Sequence, residues 1–465
     1  MKRNIYRLTT VVAVGLLLQS CFSAKTYKRP TVKAENLYRT EVIAQDSASL
    51  ADVSWDKLFT DPLLQGHIKK GLQNNFDVRV ALQNIVASEA YLKQGKAGYL
   101  PTFSATASVQ HQALAKNSQF GAIFSGSIDT YMLTGNLSWE ADIWGKIRSN
   151  KRAFNATYLQ TIAANQAIKT TVISNVASMY YQLLALDEQL KLADSTLINR
   201  NESIEVIHAL KDAGSVNEVA VKQTEAQKYA TEIIIADLKN NIILLENSLS
   251  LLLGEAPHKI ERSTFTAQQV NADIKAGYSA SLLKNRPDVI AAEYAFINTF
   301  ELTNVARSAF YPSLTLTPQG GLQSIDIKTW FSTNSLFATV LAGITQPIFN
   351  QRQIRTKYEA AKATQAQAYV QFEQSLVTAS REVSDALATY SNETNKITIR
   401  EKQVDALKKA ADYSDELLTY GLVNYLEVLT AKDNALNSEL SLIDNRYQRL
   451  SAIITLYRAL GGGWK

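Results

Sequence analysis

The sequence predicts a mainly α-helical fold with a smaller share of β-strand, arranged as two tandem repeats, each of long α-helical hairpins plus a β-hairpin. Three observations carry this. First, "LQNNFDVRVALQN" at residue 72 returns as "LKNRPDVIAAEYA" at 283, 211 residues later, and the match runs on without a gap to "GKAGYLPTFS" against "ARSAFYPSLT". Second, the spacing then becomes 207: Ile147-Arg148 meets Ile354-Arg355, Gly214 meets Gly421 and Gly254 meets Gly461. Self-similarity at one fixed spacing is the mark of repeated supersecondary units. Third, each copy carries segments alternating apolar and polar residues, followed by a helical run without proline.

Bulk properties exclude several classes. The chain has 465 residues, 48 Lys and Arg against 43 Asp and Glu, and a net charge of +5. The charges are interspersed, which argues against nucleic acid as a partner. A single cysteine leaves no disulfide framework and no thiolate metal cluster. His67, His111, His208 and His258 are scattered without ligand spacing, and there is no glycine-rich phosphate loop. Met132 and Met179 are the only methionines after the first residue. No cofactor, no metal site and no enzymatic activity are expected.

The N-terminus reads as a targeting signal. Lys2, Arg3 and Arg7 precede a short apolar stretch, Thr9 to Leu18, and then "LQSC" with Cys21. The apolar stretch is too short to span a bilayer. The pattern resembles a bacterial lipobox, in which the chain is cut before the cysteine and its sulfur is acylated. Phe22 follows, in place of an aspartate that would suggest inner-membrane retention. No later stretch has 18 consecutive apolar residues; "EIIIADLKNNIILLENSLSLLLG" at 232–254 is interrupted by charges at helical spacing and reads as amphipathic.

Within each repeat the plan is the same. A helix comes first, about 62–97 and 280–308, opened in copy one by Asp61-Pro62 and closed by Pro101 or Pro312. Strands follow. Phe103, Ala105, Ala107 and Val109 face one way and Ser104, Thr106, Ser108 and Gln110 the other; Tyr131, Leu133, Leu137 and Trp139 alternate with Thr134, Asn136, Ser138 and Glu140. A soluble sandwich or a membrane barrel would use this pattern, but four strands cannot close a membrane barrel alone. The helical runs, about 147–211 and 354–419, would each reach about 100 Å at 1.5 Å per residue. A heptad row of Ala156, Ala163, Thr170, Ala177 and Leu184 in copy one, and of Ala363, Val370, Val377, Ser384 and Ser391 in copy two, suits close helix packing. A turn then returns the chain: "AGSVNEVAV" with Gly214, Val216 and Asn217, and "YGLVNYLEVL" with Gly421, Val423 and Asn424. Glycine fits the left-handed stop and asparagine the N-cap.

The expected organisation is a lipoprotein signal peptide at 1–20 and an extended, lipid-anchored segment at 21–54. Repeat 1 covers 55–254, with its β-hairpin at about 102–142. A linker at 255–277 leads to repeat 2 at 278–461, with its β-hairpin at about 313–348, and a short tail at 462–465.

The strings "WDKLFTDPLL", "GYLPTFS", "LSWEADIWGKIR", "LKNRPDVIAAE", "ITQPIF" and "YGLVNYLEVLTA" occur in order along nearly the whole mature chain. With them the chain resembles the TolC-type outer-membrane efflux proteins, of the lipid-anchored branch serving RND-class pumps. That resemblance implies a homotrimer. Each protomer would give four strands to one 12-stranded barrel in the outer membrane, set on a periplasmic α-helical barrel. It implies an outer-membrane exit duct, lipid-anchored and extending into the periplasm, working with a periplasmic adaptor protein and an inner-membrane RND pump. The two glycine turns would be the tips that close the tunnel and dock the adaptor. Glu427 matches an acidic gate position, where three copies would form a carboxylate ring that favours cations. Copy one has Ala220 there, so the two hairpins are not bound to move alike. Relatives often have a second aspartate where Thr430 stands, and some have arginine in place of Val423. Two other readings compete: an exit duct of an ABC-driven type I secretion system, and a periplasmic lipoprotein scaffold without a pore.

Overall fold

A computed structural model describes residues 24–30, 50–119, 121–123, 126–268 and 285–464. The elements run α1 (Pro62–Asn74), α2 (Phe76–Ala97), β1 (Thr102–Ala113), β2 (Ser127–Glu140), α3 (Lys146–Asp212), α4 (Glu218–Leu252), α5 (Pro287–Ser308), β3 (Ser313–Ser324), β4 (Leu336–Thr345), α6 (Gln353–Thr419) and α7 (Tyr425–Ala459). The long helices α3 and α6 are each 67 residues and the returning helices α4 and α7 each 35. The repeat is thus preserved to the residue in its helical hairpins.

One expected helix is divided. The run at 62–97 stops at Asn74 and restarts at Phe76. Asn75 makes the break: its side-chain oxygen accepts from the backbone N–H of Asp77 at 2.9 Å and of Val78 at 3.2 Å, capping α2, while its amide donates to the Leu252 carbonyl at 2.9 Å. An asparagine that bonds forward to the next turn competes with the helix it sits in.

The chain forms two compact units. One gathers residues 24–30, 85–160 and 293–371. Its centre is an antiparallel sheet in the order β1-β2-β3-β4. Asp142 accepts from the N–H groups of Ile147 and Arg148 at 2.8 and 3.0 Å and so starts α3, while the Trp144 indole donates to the Pro312 carbonyl at 2.7 Å and stacks on Tyr311. Residues 24–30 lie along α5. The Lys25 N–H and carbonyl bond the Asn304 amide at 3.0 Å each, the Tyr27 hydroxyl and Arg29 meet Glu293, and the Tyr27 ring meets Phe296 and Phe300 edge-on.

The other unit holds the described parts of 32–84, 161–292 and 372–465. Its core packs Leu58, Phe59, Leu64 and Ile68 against Val172 to Leu184 of α3 and Ile454 to Ala459 of α7, with Tyr180, Tyr181 and Tyr457 at most 1% exposed. The buried hydroxyl of Tyr180 donates to Asp61 at 2.7 Å. Arg262, after α4, ties Asp187 of α3 to Glu246 of α4 with contacts of 2.5 Å to each.

The ends of both hairpins repeat one device. Gly254 and Gly461 have φ of +74° and +89° and lie against the backbone of Asn74 and Asn285. Asn75 donates to the Leu252 carbonyl, and Arg286, its counterpart, donates to the Ala459 carbonyl at 3.0 Å. In copy two the donor is charged, and Asp288 and Glu382 bridge it at 2.6 and 2.9 Å.

Candidate functional site

The two glycine turns are built alike. Gly214 and Gly421 have φ of +74° and +70°. The Gly214 N–H bonds the Lys211 carbonyl and the Ser215 N–H the Leu210 carbonyl; Gly421 and Leu422 bond the carbonyls of Leu418 and Leu417 in the same way. This paired closure satisfies carbonyls that a helix end leaves open, and it needs a left-handed residue where glycine carries no steric cost. Asn217 then caps α4, accepting from the Ala220 N–H at 3.2 Å, and Asn424 caps α7, accepting from the Glu427 N–H at 3.1 Å.

The tips meet in one apolar cluster. Ile207, Val221, Tyr425, Val428 and Leu429 are buried, and Val216, Val423, Leu210, Ala220 and Leu418 pack around them. Val216 and Val423 therefore face inward from their turns as packing residues. Glu427 is exposed, one turn into α7, where the Asn424 amide lies 3.4 Å from its carboxylate. The two side chains thus contact each other at the start of the helix, close to a capping box. Val216, Asn217, Gly421, Val423, Asn424 and Glu427 line a single cleft at this end of the unit. Cys21 lies outside the described residues.

Three residues at the tips carry no local sequence signal. The Tyr425 side chain is 8% exposed; burial pushes its phenol pKa up, while a hydrogen bond with Thr224 acts the other way. Arg200 of α3, itself buried, forms an ion pair with Asp433 of α7. Steps of four along α7 place Asp433 beyond Tyr425 and Leu429 on one face, but its partner is 233 residues away in the sequence.

The sheet offers a second surface. The register opposes Phe103 to Leu137, Ala107 to Leu133 and Val109 to Tyr131, then Leu133 to Leu322, and Leu322 to Leu336. One face is therefore apolar across all four strands as far as the His111–Asp129 pair at its end, and in the single chain it is open: Phe103, Val109, Val340 and Ile344 are 61–74% exposed. A continuous apolar face of this kind needs a cover. From Leu314 to Leu322 it extends about 27 Å along the strand at 3.4 Å per residue. A tilt of about 40° reduces this to about 20 Å, close to the apolar band of an outer-membrane barrel. The opposite face is mostly polar, with Ser104, Thr106, Ser108, Thr134, Asn136, Thr317 and Gln319, and includes Met132, Phe337 and Leu341. Its one charge is Glu140 at the end of β2, paired with Lys146 at 2.8 Å. A face of hydroxyls and amides accepts water without choosing a sign of charge. Among the described residues, no group of three or more His, Cys, Asp or Glu is placed to hold a metal ion, and no helix is long and apolar enough to cross a membrane.

Comparison with known proteins agrees with this geometry. The profile of the family described as Outer membrane efflux protein matches residues 67–255 and 279–462. The chain is 27% identical over 455 residues to the cation efflux system protein CusC of Escherichia coli O157:H7, covering 97% of this chain and 98% of that one. It is equally identical, 27% over 456 residues, to the solvent efflux pump outer membrane protein SrpC of Pseudomonas putida, covering 97% of each. A crystal structure of CusC superposes with a TM-score of 0.85 at 27% identity, over 95% of this chain and 100% of that one.

Proposed function

The chain belongs to the outer membrane efflux protein family, and from that premise we propose that it is the passive exit duct of a tripartite efflux pump, closed from three copies and opened at its helix tips. One observation carries the ring. The heptad row Ala156, Ala163, Thr170, Ala177 and Leu184 is buried, whereas Val370 and Val377 of the matching row are 59% and 62% exposed. The first helices differ in the opposite sense: Phe76, Val80 and Val86 of α2 are 50–59% exposed, while their counterparts in α5, Pro287, Ala291 and Ile297, are buried or half-buried. Copy one's row is covered within the chain, and copy two's row and copy one's first helix are both uncovered. A heterologous contact that repeats around an axis satisfies both at once and closes a ring. The strands support the same reading, because among the described residues β1 and β4 are the edge strands of the sheet and closure is how a membrane sheet removes its edges.

In this reading the apolar sheet face meets outer-membrane lipid and the hydroxyl and amide face lines the pore. Cys21, acylated, anchors the chain, and residues 24–30 lead from it along α5. The tips formed by Gly214, Val216, Asn217, Gly421, Val423 and Asn424 are the end that a periplasmic adaptor engages, with an RND-class pump supplying the energy. The equal likeness to a cation pump component and a solvent pump component fits a duct whose barrel wall selects little.

Glu427 is then the candidate gate group, with three carboxylates facing one another near the axis. Glu427→Gln keeps the Asn424 contact and removes the charge. The expected outcome in planar bilayers is a loss of cation preference of severalfold, read as the reversal potential in a KCl gradient. An unchanged reversal potential would remove Glu427 from the gate.

A further inference from the structure

The fold gathers cations that the sequence scatters. At one end of the sheet, β1 and β3 begin where α2 and α5 stop, and β2 and β4 end where α3 and α6 start. All four helix ends therefore lie at the same end of the sheet, within one unit of the chain. The helical segments of that unit, 85–101, 141–160, 293–312 and 346–371, together with residues 24–30, carry 14 Lys and Arg against 5 Asp and Glu. That excess of nine is larger than the +5 of the whole chain. The sheet itself, 102–140 and 313–345, carries two cations against three anions.

The positive charge lies close to the sheet. Lys96, Lys146, Arg148, Lys151, Arg355 and Lys357 fall within six residues of their helix ends. Six residues make about 9 Å of helix, roughly the depth of a headgroup layer. Lys25, Lys28, Lys96 and Lys357 are exposed, and none has an ion-pair partner among the described residues.

Three features put this collar beside lipid. Trp139, on the apolar face of β2, donates from its indole to the Tyr99 carbonyl at 3.0 Å, and the Lys151 ammonium lies 5.9 Å from the Tyr99 ring centre. Aromatic rings at the margin of an apolar band, with lysine beyond them, are the order of a membrane–water interface. On β4 apolar residues continue past the strand: Ile344, Ile348 and Phe349 are 74–97% exposed, and Arg352 and Arg355 follow. The Ala24 Cβ would lie 3.2 Å from a Cβ on Gly145, just before α3. Cys21 is three residues earlier, a reach of about 10 Å at most.

We propose that these helix ends form a cationic collar that binds the phosphates of anionic phospholipids in the leaflet facing the periplasm. The proposal rests on the membrane-barrel reading above. The apolar face takes the acyl chains and the collar the headgroups, so that charge as well as apolar height sets the depth of the sheet. A cluster of this size beside a membrane-spanning element favours anionic over zwitterionic lipid. Glycolipid phosphates of the outer leaflet share the chemistry, but they would meet the opposite end of the sheet, where the two hairpin loops carry one lysine each, Lys116 and Lys328.

The test uses the full chain, purified as a trimer in mild detergent, with lipid adducts counted by native mass spectrometry. Dioleoyl phosphatidylglycerol is titrated beside dioleoyl phosphatidylcholine and lipid A. The collar variant is Lys96→Gln with Arg355→Gln and Lys357→Gln. The control, Lys69→Gln with Lys239→Gln and Lys402→Gln, removes the same charge from exposed lysines of the other unit. Parent and control are expected to half-saturate with phosphatidylglycerol at a concentration at least fivefold below that for phosphatidylcholine, and the collar variant within twofold of it. Equal binding of the two phospholipids by the parent overturns the inference. So does a collar variant that keeps the preference, or one that loses lipid A alone. A parent that forms no trimer fails the duct reading itself, whatever lipid it binds.

Discussion

Gly321→Val is expected to abolish the channel. Gly321 sits on β3 opposite Thr134 of β2, where the hairpins of the two repeats join. A Cβ at this position would lie 1.9 Å from the Leu133 carbonyl oxygen, a clash with backbone that no rotamer relieves. The sheet would have to separate between β2 and β3, losing ladder hydrogen bonds where copy one's strands meet copy two's within the chain. Overpacking alone costs about 1–3 kcal/mol, and in lipid each freed backbone group adds several more. The measurement is conductance and trimer yield beside Gly343→Val, whose added side chain starts from a position with nothing within 4 Å. Gly343→Val should retain both. Equal behaviour of the two variants would mean that the β2–β3 junction is not part of a closed barrel.

Val377→Asp has the second largest expected effect, and it acts on assembly. In the single chain Val377 is exposed, so an aspartate there leaves the protomer intact. Its counterpart, Thr170, is 4% exposed and lies beside Gly463 of the C-terminal tail. In the ring, Val377 would meet the corresponding surface of the next copy. Placing an unpaired carboxylate in such a contact costs about 3–5 kcal/mol, repeated three times. The expected result is an unchanged circular dichroism spectrum, no trimer in mild detergent, and efflux reduced to the level of cells without the protein. Val377→Ile should behave as the parent. A stable Val377→Asp trimer would remove this row from the interface.

Much of this outer-membrane efflux protein can be read from its sequence, because its geometry is periodic. Two-residue alternation separated Phe103, Ala105 and Val109 from Ser104, Thr106 and Ser108, and the register placed the two sets on opposite faces. Gly214 and Gly421 were legible because one turn recurs with its asparagine cap, and both adopt positive φ. The break at Asn75 was not legible. It depends on a partner carbonyl at Leu252, contributed by a helix 177 residues away. The Arg200–Asp433 pair was hidden for the same reason, and so was the burial of Tyr425, which at the start of a helix resembles any exposed aromatic residue. Composition gave no sign that one heptad row is covered and its copy open. That difference belongs to the order of the repeats around a ring, not to either repeat.

The central claim is that copies of this chain complete one another. The most direct measurement is the native mass of the protein extracted from outer membranes in mild detergent. The account predicts a trimer of chains that survives salt and falls apart only when the sheet is denatured. A monomer released by salt or by cutting the N-terminal segment would contradict it, because the four strands would then close no pore.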